Sequence, residues 1–359
     1  MTDNVIRIDG SNGEGGGQIL RTSLSLSAIT GKPFEMVNVR AKRKVPGLKR
    51  QHLTCLRAAA EVCGALVEGD EVGSLRVSFR PGPIKAGKYR FDIGTAGSVT
   101  LVAQTVLPIL LCADGVSEVT ITGGTHVMMS PCWEYFAHTF LPQLRKMGAE
   151  VEAQLVRYGF YPAGGGEIVL KIKPWTEAKV YDGTVPGNCL GARVIAKVAN
   201  IPADIAEAEV KMVASQLPTL TVRTESDDVA SVGPGNYCAL ELSYENVTMV
   251  CSDIGIHDRS RKAVANTVAY SAKSYLKIGS VADEHLSDQL LLPIVLAGDR
   301  LKTNGVWGRF TMPRHRSLHF DTNWSVLRQF KEEMDMQIVA NEDGDRRIEI
   351  EIGQKGIWK

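Results

Sequence analysis

The sequence has no pair of cysteines with just two residues between them. Its seven cysteines, Cys55, Cys63, Cys112, Cys132, Cys189, Cys238 and Cys251, are odd in number and scattered. That excludes a disulfide framework and a zinc ribbon, and leaves free thiols in a reducing compartment. A charge excess is lacking too: 41 basic residues face 40 acidic ones, for a net +1. No overall field draws a polyanion, so a nucleic-acid surface would have to be a local patch. A long apolar run is also missing. The most apolar stretch, Leu101 to Cys112, carries Gln104, Thr105 and Pro108 and is too short and too polar to span a bilayer. The first residues, MTDNVIRIDG, are polar and acidic, unlike a leader peptide. A cytoplasmic protein with no membrane association is expected.

With 359 residues, 44% of them hydrophobic, the chain has material for a full core and about two or three domains. Its clearest internal feature is a repeat. Three helix-like stretches follow small-residue turns: GGGQILRTSLSLSAITG from Gly15, AGSVTLVAQTVLPILLCADG from Ala96 and ADEHLSDQLLLPIVLAGD from Ala282. Each has apolar residues at three- and four-residue steps and ends on glycine, as a helix C-cap would. A second amphipathic helix follows each, starting near Arg50, Ser130 and Thr322. Alternating strands then close the units: LRVSFRP at Leu75, EIVLKIKP at Glu167 and RIEIEI at Arg347. The expected fold is α+β, with three repeated units whose helices pack on a sheet. An extra strand-helix-strand segment adds a small inserted α/β domain. The expected division is 1–187 for repeats 1 and 2, 188–279 for the insert and 280–359 for repeat 3.

Four places can carry chemistry. In the loop from Asp9 to Gln18, DGSNGEGGGQ, glycines let backbone amides approach a phosphate at a helix start. No GK[ST] follows, so it is not a Walker A loop, and Gln18 replaces the last glycine of GxGxxG. Glu14 makes sense among such amides as a holder of a divalent metal bridging phosphates. Arg21 lies one turn beyond, on the face of Gln18. A plain structural turn is the alternative. Next, Arg40, Lys42, Arg43, Lys44, Lys49 and Arg50 form a basic run with no acid between Glu35 and Glu61. It is either a solvated face or a patch for phosphate, and its lack of aromatics favours phosphate over bases.

The third place is His315-Arg-Ser-Leu-His319-Phe-Asp-Thr-Asn323. Two histidines four apart suit a metal on a helix face, but a third ligand is missing. Pro313 upstream and the cap-forming Thr322 and Asn323 place the histidines in a turn before a helix. The fourth is His285-Leu-Ser-Asp288-Gln289, at the start of the third repeat's first helix, where capping and ligand contacts are both common. Gln104, polar in an apolar helix, is either a satisfied core amide or a phosphate contact. From composition and spacing alone, the chain is a soluble, repeat-built phosphate-binding protein.

Taken together, GEGGGQILR at Gly13, the Arg40–Arg43 step, FDIGTAGS at Phe91, GGT at Gly123, PAGGGE at Pro162, LSDQLLLP at Leu286 and HFDTN at His319 resemble the RNA 3'-terminal phosphate cyclases. The likeness runs in order along nearly the whole chain. It implies the same fold and an ATP-dependent closure of an RNA 3'-phosphate onto the neighbouring 2'-hydroxyl, through a histidine–AMP and then an RNA–adenylate. His319 matches the nucleophile and Glu14 a ligand of Mg²⁺ or Mn²⁺. Gln18, Arg21, Arg40, Arg43 and Gln104 match residues around the phosphates. Pro131 and His285 match residues flanking adenine, His285 standing where some members carry tyrosine. Leu286, Ser287, Asp288 and Gln289 match the nucleotide-contacting loop. ATP, a divalent cation and a 3'-phosphorylated RNA are the implied ligands, and a homodimer is left open. Two rivals remain: a non-catalytic relative serving ribosome assembly, disfavoured by His319, Glu14 and Arg21, and an enolpyruvyl-type transferase, which HFDTN and PAGGGE do not suit.

Overall fold

The computed structural model describes residues 5–301, 303–339 and 346–358. The polar residues 1–4, on which the expectation of no leader partly rests, lie outside them.

The first unit comprises β1 (Ile6–Asp9), α1 (Gly17–Thr30), β2 (Phe34–Val37), α2 (Arg50–Cys63), β3 (Leu66–Glu68) and β4 (Val77–Arg80). The second has β5 (Lys88–Asp92), α3 (Val99–Leu110), β6 (Ser117–Gly123), a π-helical turn (Tyr135–Phe140) running into α4 (Leu141–Lys146), then β7 (Val151–Arg157) and β8 (Gly166–Ile172). The third starts with β9 (Tyr181–Gly183) and resumes with α7 (Glu284–Leu301), β14 (Val306–Pro313), α8 (Leu318–Phe330), β15 (Met334–Val339) and β16 (Arg347–Gln354). Between them run β10 (Cys189–Ala199), α5 (Asp204–Ser215), β11 (Val222–Asp228), β12 (Gly235–Tyr244), β13 (Thr248–Gly255) and α6 (Arg261–Ile278).

Strand order supports the repeat independently of sequence. The sheets read β1-β2-β4-β3, β5-β6-β8-β7 and β9-β14-β16-β15. In each, the first two strands are parallel and the other neighbours antiparallel. The fourth sheet, β11-β10-β12-β13, exchanges both the first two and the last two strands and is not another copy. The expected α+β architecture is therefore present. One detail differs: residues 181–183, expected with the second unit, pair with β14 in the third sheet. The extra segment thus enters after the third unit's first strand, where the other two units place their first helix.

Apolar periodicity accounts for the elements. β8 alternates inward Ile168, Leu170 and Ile172 with more exposed neighbours. α1 is buried on most sides, packing against α2, α3 and α8. Its small serines allow that close approach and are satisfied within it: Ser23 Oγ donates to Ile19 O of its own helix at 2.6 Å, and Ser25 Oγ to Thr105 O of α3 at 2.8 Å.

The expected glycine cap holds for α1, where Gly31 is left-handed, but not for the other two first helices. α3 ends at Leu110, before Gly115. α7 continues through Gly298, because that glycine serves packing: the Trp307 ring occupies the space a Cβ would fill. All seven cysteines are free thiols. No helix among the described residues is long and apolar enough to cross a membrane.

Candidate active site

A cleft of about 1410 Å³ opens where the helices of the three units converge. Glu14, Gln18 and Arg21 reach it from the glycine loop and α1. Arg40 and Arg43 come from the loop before α2, Gln104 from α3 and Pro131 from the loop before the π-helical turn. His285, Asp288 and Gln289 come from α7, His315 from the bend before α8 and His319 from the first turn of α8. Leu286 and Ser287 are fully buried and do not line it.

His319 does not lie in a turn before its helix. Ser317 is the N-cap of α8, its Oγ accepting from Phe320 N at 3.1 Å, so His319 rides on the first helical turn. Thr322 and Asn323, expected as caps, face sideways into neighbouring elements. Thr322 Oγ1 accepts from Glu14 N at 3.1 Å. It also fills the space beside Gly13, whose φ of +56° and missing Cβ bring the glycine loop against α8. Asn323 Oδ1 accepts from Thr22 Oγ1 at 2.6 Å, and its amide donates to Asp288 O and Oδ2, both at 3.1 Å. These contacts join units one and three around the histidine.

The central feature is a chain of three side chains. The Gln18 amide nitrogen donates to the Asp288 carboxylate, and the Gln18 carbonyl oxygen contacts His319 Nδ1. With Asp288 accepting from the Gln18 and Asn323 amides, the Gln18 oxygen faces His319, and in that orientation the imidazole proton resides on Nδ1. The lone pair then resides on Nε2. Burial lowers the His319 pKa below the ordinary 6.5. Glu14 works the other way, while His285, Arg21 and Arg43 lower it further. The imidazole is thus neutral at neutral pH. Burial raises Asp288 to about 7, against the Gln18 hydrogen bond and the charges of His285 and Arg21.

Cations crowd the same cleft. Burial pushes the Arg21 pKa down, opposed by Cys55, Glu14 and Asp288. Arg43 pairs with the Glu14 carboxylate. Arg40, at φ +54° and buried, donates to Val45 O at 2.9 Å and Gly47 O at 2.7 Å, so part of its guanidinium shapes its own loop. Gln104 Nε2 donates to Gln289 Oε1 at 2.7 Å, tying α3 to α7. The sequence reading missed His52, which also lines the cleft. Burial first, then the charges of Arg21, Arg40, Lys49 and Arg43, lower it to about 3, leaving a neutral ring among arginines. Its position beside the basic run was the only available signal.

The donor set for a divalent cation is small. Among the described residues, no three or more His, Cys, Asp or Glu cluster to hold a metal. Glu14 is a single carboxylate among arginines and glycine-loop amides. That fits a hard cation completed by phosphate oxygens and water, the usual mode for Mg²⁺, and does not fit an all-protein cage.

The family model for RNA 3'-terminal phosphate cyclase matches residues 12–336. A protein of that name from Salmonella enteritidis is 44% identical over 329 residues, covering 91% of this chain and 93% of that protein. The one from Ectopseudomonas mendocina is 42% identical over 356 residues, 99% of this chain and 100% of its own length. That from Koribacter versatilis is 43% identical over 331 residues, 91% and 90% of the two chains. With the match spanning the glycine loop, the arginine run and α8 alike, the chain belongs to the RNA 3'-terminal phosphate cyclase family.

Proposed function

We propose that this chain uses ATP to convert an RNA 3'-terminal phosphate into a 2',3'-cyclic phosphodiester, with His319 as the nucleophile. The observation that carries the assignment to His319 is the Asp288–Gln18–His319 chain, which presents a neutral imidazole with its lone pair on Nε2.

Nε2 attacks the α-phosphorus of ATP. The bond from that phosphorus to the bridging oxygen breaks, and pyrophosphate leaves. The resulting imidazolium–AMP is supported at Nδ1 by the Gln18 oxygen, whose amide is steadied by Asp288. Arg21 and Arg43 face the charge that develops on the phosphates, as do the amides of the glycine loop at the start of α1. Arg40, Gln104 and Gln289 complete the phosphate wall. Pro131 and the exposed His285 ring flank the adenine, while Leu286 and Ser287 support that stretch from beneath. Glu14 would hold Mg²⁺ or Mn²⁺ after release from Arg43, and the ion would supply charge neutralisation at the phosphates.

An oxygen of the RNA 3'-phosphate next displaces His319 from phosphorus, forming an RNA–adenylate anhydride. The adjacent 2'-hydroxyl then attacks the 3'-phosphorus, loses its proton, and expels AMP. A neighbouring group so placed has an effective concentration of about 10⁵ M or more, so positioning supplies much of this step. We read residues 188–279 as an inserted domain in the catalytic body formed by the flanking segments. A cytoplasmic setting accords with seven free thiols. A homodimer enters no step of this chemistry.

The test is incubation with ATP, Mg²⁺ or Mn²⁺ and a 3'-phosphorylated RNA. The expected product has a phosphatase-resistant end, with one AMP and one pyrophosphate per end closed. An unconsumed ATP pool and an unchanged RNA would favour the non-catalytic alternative.

A further inference from the structure

A second, smaller cleft of about 170 Å³ lies on the outer face of α2, against β5. Three arginines line it: Arg50 and Arg57 from α2 and Arg90 from the edge strand β5. All three are exposed, while Leu53 and Phe91 form a buried apolar floor. No step of the proposed reaction uses this notch. We propose that it binds internal phosphates of the RNA strand, upstream of the 3' end held in the main cleft. The proposal rests on the reading of the chain as an RNA cyclase and adds where the rest of the substrate lies.

Three observations carry it. The notch and the main cleft meet at the N-terminal end of α2, where Lys49, Gln51 and His52 line the main cleft and Arg50 lines the notch. Gln51 Oε1 accepts from Ser98 N at 2.7 Å, and Ile93, on the notch wall, lies against the same 93–98 segment. A strand leaving the main cleft at this point meets the notch directly.

Geometry along the helix is the second. Arg50 and Arg57 are seven residues apart, two turns on one face, so the notch leads about 10 Å away along α2. Arg50 stands at the helix N-terminus, which also favours an anion.

The third is the state of the cations. Arg50 makes no side-chain ion pair among the described residues. Arg57 pairs with Asp70 at 3.2 Å and Arg90 with Glu167 at 2.7 Å, with arginine side chains 60% and 67% exposed. The Arg57–Asp70 pair is exposed on both sides and contributes little, which leaves Arg57 open to a phosphate. Glu167 is only 16% exposed, so Arg90 stays anchored to it and offers a phosphate its remaining N–H groups. Asp92, also on the notch wall, opposes anion binding and limits its strength. The notch presents no exposed aromatic ring, so it holds the backbone without reading bases. The chain's net charge of +1 makes such a local patch necessary for any extended grip on RNA.

The test compares the wild type with Arg57→Ala/Arg90→Ala, using a dinucleotide 3'-phosphate and a decamer 3'-phosphate. The double variant should form enzyme–AMP and cyclise the dinucleotide as the wild type does. Its KM for the decamer should rise about tenfold. The slope of log affinity against log salt for the decamer should flatten by about 0.7 for each RNA phosphate that the variant no longer neutralises. Arg57→Lys/Arg90→Lys should recover much of the decamer KM, which a merely misfolded variant would not allow. An unchanged decamer KM, or an equal loss on both substrates, would overturn the notch. Failure of the wild type to form enzyme–AMP would instead overturn the reaction. Decamer binding without ATP, followed by fluorescence anisotropy, would still decide the notch: a salt slope equal in wild type and double variant rejects it.

Discussion

As the proposed nucleophile, His319 would owe its reactivity to its neighbours. An isolated histidine exchanges tautomers and is partly protonated near neutrality, whereas here the Gln18 oxygen holds the proton on Nδ1 and burial keeps the ring neutral. Replacing Gln18 with methionine keeps the volume but removes both hydrogen bonds. Enzyme–AMP formation should then slow by about 10- to 100-fold, in line with other orienting partners of a functional histidine. A rate unchanged in single-turnover labelling would show that tautomer control is unimportant. Asp288 gives a prediction on stability. Its pKa is raised from 3.8 to about 7 in the fold. The folded state therefore holds a proton that the unfolded state releases between these values. That contribution is full below about pH 3.8, declines as pH rises and is gone above about pH 7. Relative to Asp288→Asn, the wild type should lose about 2–3 kcal/mol between about pH 5 and pH 8 in urea melts. His52 and His319 are depressed in both proteins and cancel in the comparison. A pH-independent difference would mean that Asp288 is not buried as a charge.

At the scale of elements, the start of α8 sets the reach of His319. Ser317→Ala removes the cap and should cost about 1 kcal/mol of stability by denaturant unfolding. It should also slow labelling more than the stability loss implies, since the nucleophile sits two residues beyond the cap. Labelling at the wild-type rate would separate the cap from catalysis. This element also shows what the sequence made legible. His319, Glu14, Gln18 and Asp288 stand in short distinctive motifs, and the cleft gathers them. The helix start was not legible, because Thr322 and Asn323 are cap-type residues used here for contacts to Glu14, Thr22 and Asp288. Gly298 misled in the same way: a glycine near a helix end looks like a stop, yet this one makes room for Trp307. In both cases a partner on another element overrides the local preference. His52 is a milder case, since burial among arginines is a tertiary property that spacing does not reveal.

On the scale of the whole molecule, periodicity was enough to expose three repeated units, because each must bury one helix face and one sheet face. The place of the insertion was hidden, since β9 is three residues long and its pairing with β14 spans the entire inserted segment. The cleft draws on all three units, from Glu14 to Asn323, so a ligand filling it ties together segments distant in the chain. ATP with Mg²⁺, at about 100 times its dissociation constant, should add about 2.7 kcal/mol to stability. Thermal unfolding should shift upward by several degrees, and GTP at the same concentration should shift it less if His285 and Pro131 select the base. No shift with ATP would mean that the folded chain does not bind the nucleotide.

The most direct measurement is labelling with ATP carrying ³²P at the α-phosphate, without RNA, in the presence of Mg²⁺ or Mn²⁺. The wild type, His315→Ala and His319→Ala would be compared on a denaturing gel. The account predicts acid-labile, base-stable label on the wild type and on His315→Ala, and none on His319→Ala. Label retained on His319→Ala, or absent from the wild type with both metals, would contradict it.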